Sequence, residues 1–223
     1  MKLSKETIEI LKNFASINMS MLFREGTKLK TINPPKTVMA VANISETIPR
    51  EFAIYDLNQL IGLMSMFDDP DLKFGDKMMH ISDNTDEASF VYASASAIIS
   101  APDKEVSLPS KDIKFLLEGS ALNRALRAAG FLNAEQVAIL GEGGKTYITA
   151  LDTNSDSTHS WKTAVGTSDT NYRMIFRRDN LKLLPRDYTV TISAKGVSKF
   201  ASAMDDVTYY VATETASTYG TQS

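Results

Sequence analysis

The sequence predicts an α+β protein of two similar units, and three observations carry that prediction. A helix pattern followed by a run of short β patterns occurs from Ser4 onward and again from Ser110 onward, the mark of an internal duplication. Between them, Ser94 to Pro109 is rich in small residues and holds Pro102 and Pro109, the composition of a connector. The 223 residues, 43% hydrophobic and 23% charged, suffice for two domains of about 100 residues each. The domains are expected at 1–100 and 101–223.

Ser4 to Asn18 reads as a helix because Ile8, Ile10, Leu11, Phe14, Ala15 and Ile17 fall on one side at about 100° per residue. Ser4 is its natural N-cap, and Glu6 sits where the helix dipole favours an anion. Thr37 to Ile44 and Glu51 to Tyr55 are strands, set apart by Gly26, Pro34-Pro35 and Pro49. Asp56-Leu57-Asn58-Gln59 has a capping-box pattern ahead of LIGLMSMF, which is apolar nearly all round and predicts a buried second helix. Asp68, Asp69 and Pro70 stop it. Lys77 to Ser82 and Glu87 to Ala93 pair as a hairpin across the polar DNTD turn.

In the second half, Ser110 to Asn123 aligns with Ser4 to Asn18 after one deletion: Ile113 matches Ile8, Leu116 matches Leu11, Leu122 matches Ile17 and Asn123 matches Asn18. It is expected to be the counterpart helix. Seven strand patterns follow: Gln136 to Leu140, Lys145 to Leu151, Ser160 to Val165, Arg173 to Arg177, Tyr188 to Ser193, Val197 to Ser202 and Val207 to Glu214.

Several motifs resolve into plain structure. Gly141-Glu142-Gly143-Gly144-Lys145-Thr146 lacks the first glycine of a phosphate loop, since Ile139 stands there, so it reads as a hairpin turn. Asp68, Asp69 and Asp71, like Asp83, Asp86 and Glu87, miss calcium-loop spacing and read as solvated turns. His80 and His159 are the only histidines, neither with a ligand partner at suitable spacing, and cysteine is absent. Thiolate metal sites and cysteine nucleophiles are excluded, and no Ser elbow, paired-carboxylate motif or dinucleotide fingerprint occurs. No metal, no cofactor and no catalysis are expected.

Charge interrupts every apolar stretch of the N-terminus, and no run approaches the roughly 20 residues of a membrane span. A soluble, unexported protein without membrane contact is expected. The net charge of −3 argues against a protein coated in nucleic acid, so the placement of the 24 Lys and Arg decides more than their sum. Lys5 and Lys12, seven residues apart, project only about 20° from each other on a helix, on the flank of a polar face with Glu9 and Asn13. Lys111 and Lys114 take the polar side of the expected second helix. Arg124 and Arg127 would swing to its apolar side if that helix continued, so a break near Gly119 or Asn123 is expected.

The stretches MKLSKETIEILKNFASIN, AIYDLNQLIGLMSMF and MIFRRDNLKLLPRDYTVTISAKGVSKFASAMDDVTYYVATE together resemble, in wording and order, the sliding clamp, or DNA polymerase processivity factor, of T-even-type tailed phages. The resemblance spans the chain and is strongest in these stretches. It implies a DNA clamp fold: duplicated domains with inner helices on outer antiparallel sheets, joined in a homotrimeric ring through which duplex DNA passes without sequence recognition. It implies a replicative DNA polymerase and a clamp loader as partners, late-transcription factors with host RNA polymerase as a secondary role, and the cytoplasm of an infected bacterial host as location. Lys5 and Lys12 stand where the family's first inner helix presents lysines to phosphates. In the second inner helix Glu118 and Ala121 replace expected arginines, and positive charge stands instead at Lys111, Lys114, Arg124 and Arg127. The rival functions are a non-ring DNA-binding or scaffold protein and, third, an enzyme with a dispersed site.

Overall fold

The structure is a computed structural model that describes residues 1–151, 159–202 and 207–220. The chain forms two compact units, Met1–Lys104 and Glu105–Ser223. Residues 203–206, part of the closing motif, lie outside the described residues.

The first unit opens with helix α1 (Lys5–Ile17), then strands β1 (Met21–Phe23), β2 (Gly26–Ile32), β3 (Val38–Ile48) and β4 (Phe52–Ile54), helix α2 (Leu57–Met64), and strands β5 (Asp71–Phe74), β6 (Met78–Ser82) and β7 (Glu87–Val91). Strands β2 and β3 form an antiparallel hairpin, β1 pairs with β4, and β5-β6-β7 make a separate antiparallel sheet. The amphipathic period of α1 turns Ile10, Leu11 and Phe14 inward, each at most 1% exposed, against α2, β2 and β3. An aromatic stack completes this core, with Phe52 4.7 Å from Phe23 and 4.8 Å from Tyr92. Helix α2 is capped as its sequence predicts, Asp56 accepting from the Asn58 and Gln59 N–H groups. It is not apolar-buried all round: it buries Leu57, Leu60, Ile61 and Met64 and leaves Asn58, Gln59 and Gly62 exposed.

The second unit contains β8 (Ile113–Leu117), α3 (Gly119–Phe131), β9 (Gln136–Glu142), β10 (Lys145–Leu151), β11 (Trp161–Thr167), β12 (Tyr172–Arg177), β13 (Tyr188–Ser193), β14 (Val197–Ser202), β15 (Val207–Ala212) and β16 (Thr218–Tyr219). Its strands run β11-β10-β9-β12-β16 in one sheet and β8-β13-β14-β15 in another. Helix α3 packs on β9, β10 and β11. Gly143 and Gly144, at φ 57° and 78°, join β9 to β10 in the left-handed two-residue turn that favours glycine. Tyr188 anchors the core, edge-on to Phe200 at 6.2 Å and Tyr209 at 6.0 Å, with its hydroxyl donating to the Leu184 carbonyl at 2.6 Å.

The expected helix from Ser110 to Asn123 is corrected. Its first half is strand β8, antiparallel to β13 from Ile113↔Ile192 to Leu117↔Tyr188. Ile113 and Leu117 are buried while Lys114 and Leu116 are exposed, so the pattern obeys the period of two of a half-buried strand. The counterpart of α1 is α3, whose Ala121, Leu122 and Ala125 take the buried phase of Ile10, Leu11 and Phe14.

Candidate nucleic-acid interface

Helix α1 is held at its N-terminus twice. The Ser4 hydroxyl accepts from the Thr7 N–H at 3.1 Å, as its N-cap position predicts. Glu46 of β3 adds a carboxylate: it accepts from the Ser4 N–H and, at 2.6 Å, from the Thr7 hydroxyl. Burial pushes the Glu46 carboxyl up, but these hydrogen bonds outweigh burial and hold it below the ordinary carboxylate value. With Thr7, Ile10, Leu11, Phe14, Ala15 and Ile17 buried, the outward stripe is Lys5, Glu9, Lys12 and Ser16. Lys5 and Lys12 make no ion pair among the described residues.

Helix α3 starts differently. Glu118, its N-cap residue, makes no side-chain cap bond; Asp187, just before β13, accepts instead from the Gly119 N–H at 2.8 Å. The approach is close enough that a Cβ at Gly119 would lie 2.6 Å from the Arg186 carbonyl oxygen. Ala121, Leu122, Ala125 and Ala129 are buried, and Ser120, Asn123, Arg124, Arg127 and Phe131 are exposed. Arg124 donates to the Ser120 hydroxyl at 3.5 Å.

These placements divide the six candidate cations. Lys5 and Lys12 share the outward face of α1, as their spacing predicts. Arg124 and Arg127 share the outward face of α3, because a new helix beginning at Gly119 resets the phase that would have turned them inward. Lys111 and Lys114 lie on no helix: Lys111 precedes β8, and Lys114 is an exposed β8 residue opposite Thr191. Their expected helical face is therefore corrected. The missed signal was Leu122, Ala125, Leu126 and Ala129, spaced i, i+3, i+4 and i+7, in which alanines stand for bulkier apolar residues.

Of the acidic clusters, Asp68, Asp69, Asp83 and Asp86 lie in turns, whereas Asp71 and Glu87, expected in turns, open strands β5 and β7, because each pairs with Ser82 of β6. Asp83 accepts from the N–H groups of Thr85, Asp86 and Asp68 at 2.8, 2.8 and 3.0 Å, and those backbone bonds hold its carboxyl down at about 2. His80 Nδ1 meets the Ser89 hydroxyl at 3.1 Å on the surface of the β5-β6-β7 sheet. Among the described residues no group of three or more His, Asp or Glu side chains could hold a metal ion, and no helix is long and apolar enough to cross a membrane.

Amphipathic helices packed on antiparallel sheets, one such arrangement in each unit, define the fold as that of the DNA sliding clamps. PCNA of A. fulgidus, solved with the C-terminal region of FEN-1 bound, matches with a TM-score of 0.71 over 96% of each chain at 13% identity. The DNA polymerase III subunit beta of Pseudomonas aeruginosa matches at 0.66, over 94% of this chain and 63% of its own, at 12% identity. At these identities the likeness shows the fold alone. Sequence shows the family: residues 4–100 match the DNA polymerase processivity factor model and residues 114–215 the C-terminal model of the gp45 sliding clamp. The sliding clamp of Vibrio phage KVP40 is 33% identical over 222 residues, 96% of this chain and 99% of its own. That of Enterobacteria phage T4 is 31% identical over 229 residues, 98% of this chain and 99% of its own. The chain belongs to the phage sliding clamp family of DNA polymerase processivity factors, which are not enzymes.

Proposed function

We propose that three copies of this chain close into a ring around duplex DNA and tether a replicative polymerase to its template, so that topology rather than affinity keeps the polymerase bound. Residues 1–100 and 101–223 serve as the two clamp domains of each copy. The observation that carries the ring is a pair of sheet edges. Among the described strands of three or more residues, β7 and β11 are the two without a buried residue, and each is the edge of its sheet. Such an edge offers unpaired N–H and C=O groups along its length. One edge belongs to each unit, so β7 of one copy can pair with β11 of the next in a head-to-tail contact, and such contacts form rings when the rotation closes.

The helix faces suit what a ring must do with DNA. Lys5 and Lys12 on α1, and Arg124 and Arg127 on α3, meet phosphates through long side chains and read no base edges, so the contacts are interchangeable along the duplex. Lys111 and Lys114 add charge from the β8 sheet. A clamp loader opens the ring, late-transcription factors with host RNA polymerase use the loaded ring as a secondary role, and the work takes place in the host cytoplasm.

Light scattering across a dilution series tests the assembly: a trimeric mass is expected, and a monomer at all concentrations up to high micromolar overturns the ring. Lys5→Glu with Lys12→Glu tests the α1 face. Both side chains are exposed, so folding and mass should persist while processive synthesis falls; unchanged processivity rejects that face as a DNA contact.

A further inference from the structure

Lys5 and Lys12 share a groove with Asp68 and Asp69, over a floor that includes Ile61 and Met64. The groove lies between α1 and the turn that follows α2. The backbone that carries the two carboxylates is held in place. Asp69 takes a left-handed backbone at φ 51°, and the Asp68 N–H donates to Asp83 at 3.0 Å. Asp83 in turn binds the backbone of its own turn through Thr85 and Asp86, which fixes the Asp68-Asp69 corner against the β6–β7 hairpin. Asp69 pairs with Lys2 at 2.5 Å across an exposed contact, while Asp68 has no ion pair among the described residues.

The α1 groove thus carries two cations and two anions, one of which, Asp69, is also paired with Lys2. Charges within a Debye length, about 8 Å at physiological ionic strength, act on the same approaching phosphate. A phosphate drawn to Lys5 or Lys12 is repelled by Asp68 and Asp69, which weakens the attraction. We infer that Asp68 and Asp69 set the strength of the α1–DNA contact, holding it low enough for the ring to slide. This rests on the proposal that α1 faces DNA. The two carboxylates are affinity-setting residues that act through the field around Lys5 and Lys12.

The test is titration of a labelled duplex with the full-length protein at low and at physiological salt. Asp68→Asn with Asp69→Asn should bind roughly threefold more tightly at low salt, with the gain shrinking as salt rises, and should steepen the dependence of affinity on salt. Glu135→Gln with Asp179→Asn makes the same change in net charge at exposed positions outside the groove and should leave binding unchanged. Equal tightening in that control overturns the inference in favour of a net-charge effect. Unchanged affinity in the Asp68/Asp69 variant, with weakened binding by Lys5→Glu/Lys12→Glu, overturns the inference alone. Unchanged affinity in both variants overturns it together with α1 as the contact face.

Discussion

Replacing Glu46 by glutamine removes a charge that α1 borrows from a strand 39 residues away from Thr7 in sequence. The carboxylate accepts from the Ser4 N–H and the Thr7 hydroxyl, both at the helix end where the dipole favours an anion. A hydrogen bond to a charged group contributes about 1.5–3 kcal/mol. Glu46 is half-buried, so solvent screening discounts that figure, and glutamine keeps one neutral acceptor. The expected loss is about 1–2 kcal/mol, read as a fall of about 2–8 °C in Tm for a chain of this size. The sign with pH follows from a folded-state pKa below the unfolded value. The contribution is fully present above the ordinary glutamate pKa of about 4.3 and is lost as pH falls through the lowered folded value. Thermal unfolding by circular dichroism should therefore show a wild-type advantage at pH 7 that shrinks below pH ~4. A Thr7→Val partner should show non-additivity with Glu46→Gln, since the two share one hydrogen bond. Equal melting of wild type and Glu46→Gln at neutral pH would refute the reasoning.

Two further outcomes are expected in the second unit. Gly119→Ala should cost about 1–3 kcal/mol, because its Cβ would meet the Arg186 carbonyl oxygen at 2.6 Å; denaturant unfolding checks this, and an unchanged midpoint means that the backbone yields. Tyr188→Phe should cost about 1 kcal/mol by removing the buried hydroxyl's bond to the Leu184 carbonyl, which keeps the Arg186 N–H as a donor at 2.8 Å. Burial pushes the Tyr188 phenol far above the ordinary tyrosine value, so only the unfolded chain ionises near pH ~10 and stability falls as pH rises beyond that point. The Tyr188→Phe variant should lose less stability on alkaline titration than wild type, and parallel curves would show that this phenol does not contribute.

The interactions legible in the sequence were those closed within a turn of chain. Ser4 with Thr7, Asp56 with Asn58 and Gln59, and the Gly143-Gly144 turn involve neighbours whose spacing is fixed by local geometry, and each sits in the structure as its residues predict. The seven later strand patterns were legible for a similar reason, since alternation or β-branched runs record which side of a strand meets the core.

By itself, then, the sequence determined the α+β class, the helix-then-strands order of the first half, the outward projection of Lys5 and Lys12, and the family through its three matching stretches. Tertiary structure alone decided that IKFLL is a strand: a run apolar at Ile113, Phe115, Leu116 and Leu117 suits either period, and pairing with β13 selects the extended form. It decided the phase of Arg124 and Arg127, because α3 begins where Asp187, 68 residues from Gly119, receives its first N–H. It also brought Asp68 and Asp69 beside Lys5 and Lys12, and left β7 and β11 as the edges of their sheets. Each of these depends on partners far apart in the chain, and local periodicity carries no information about which distant residue will be adjacent.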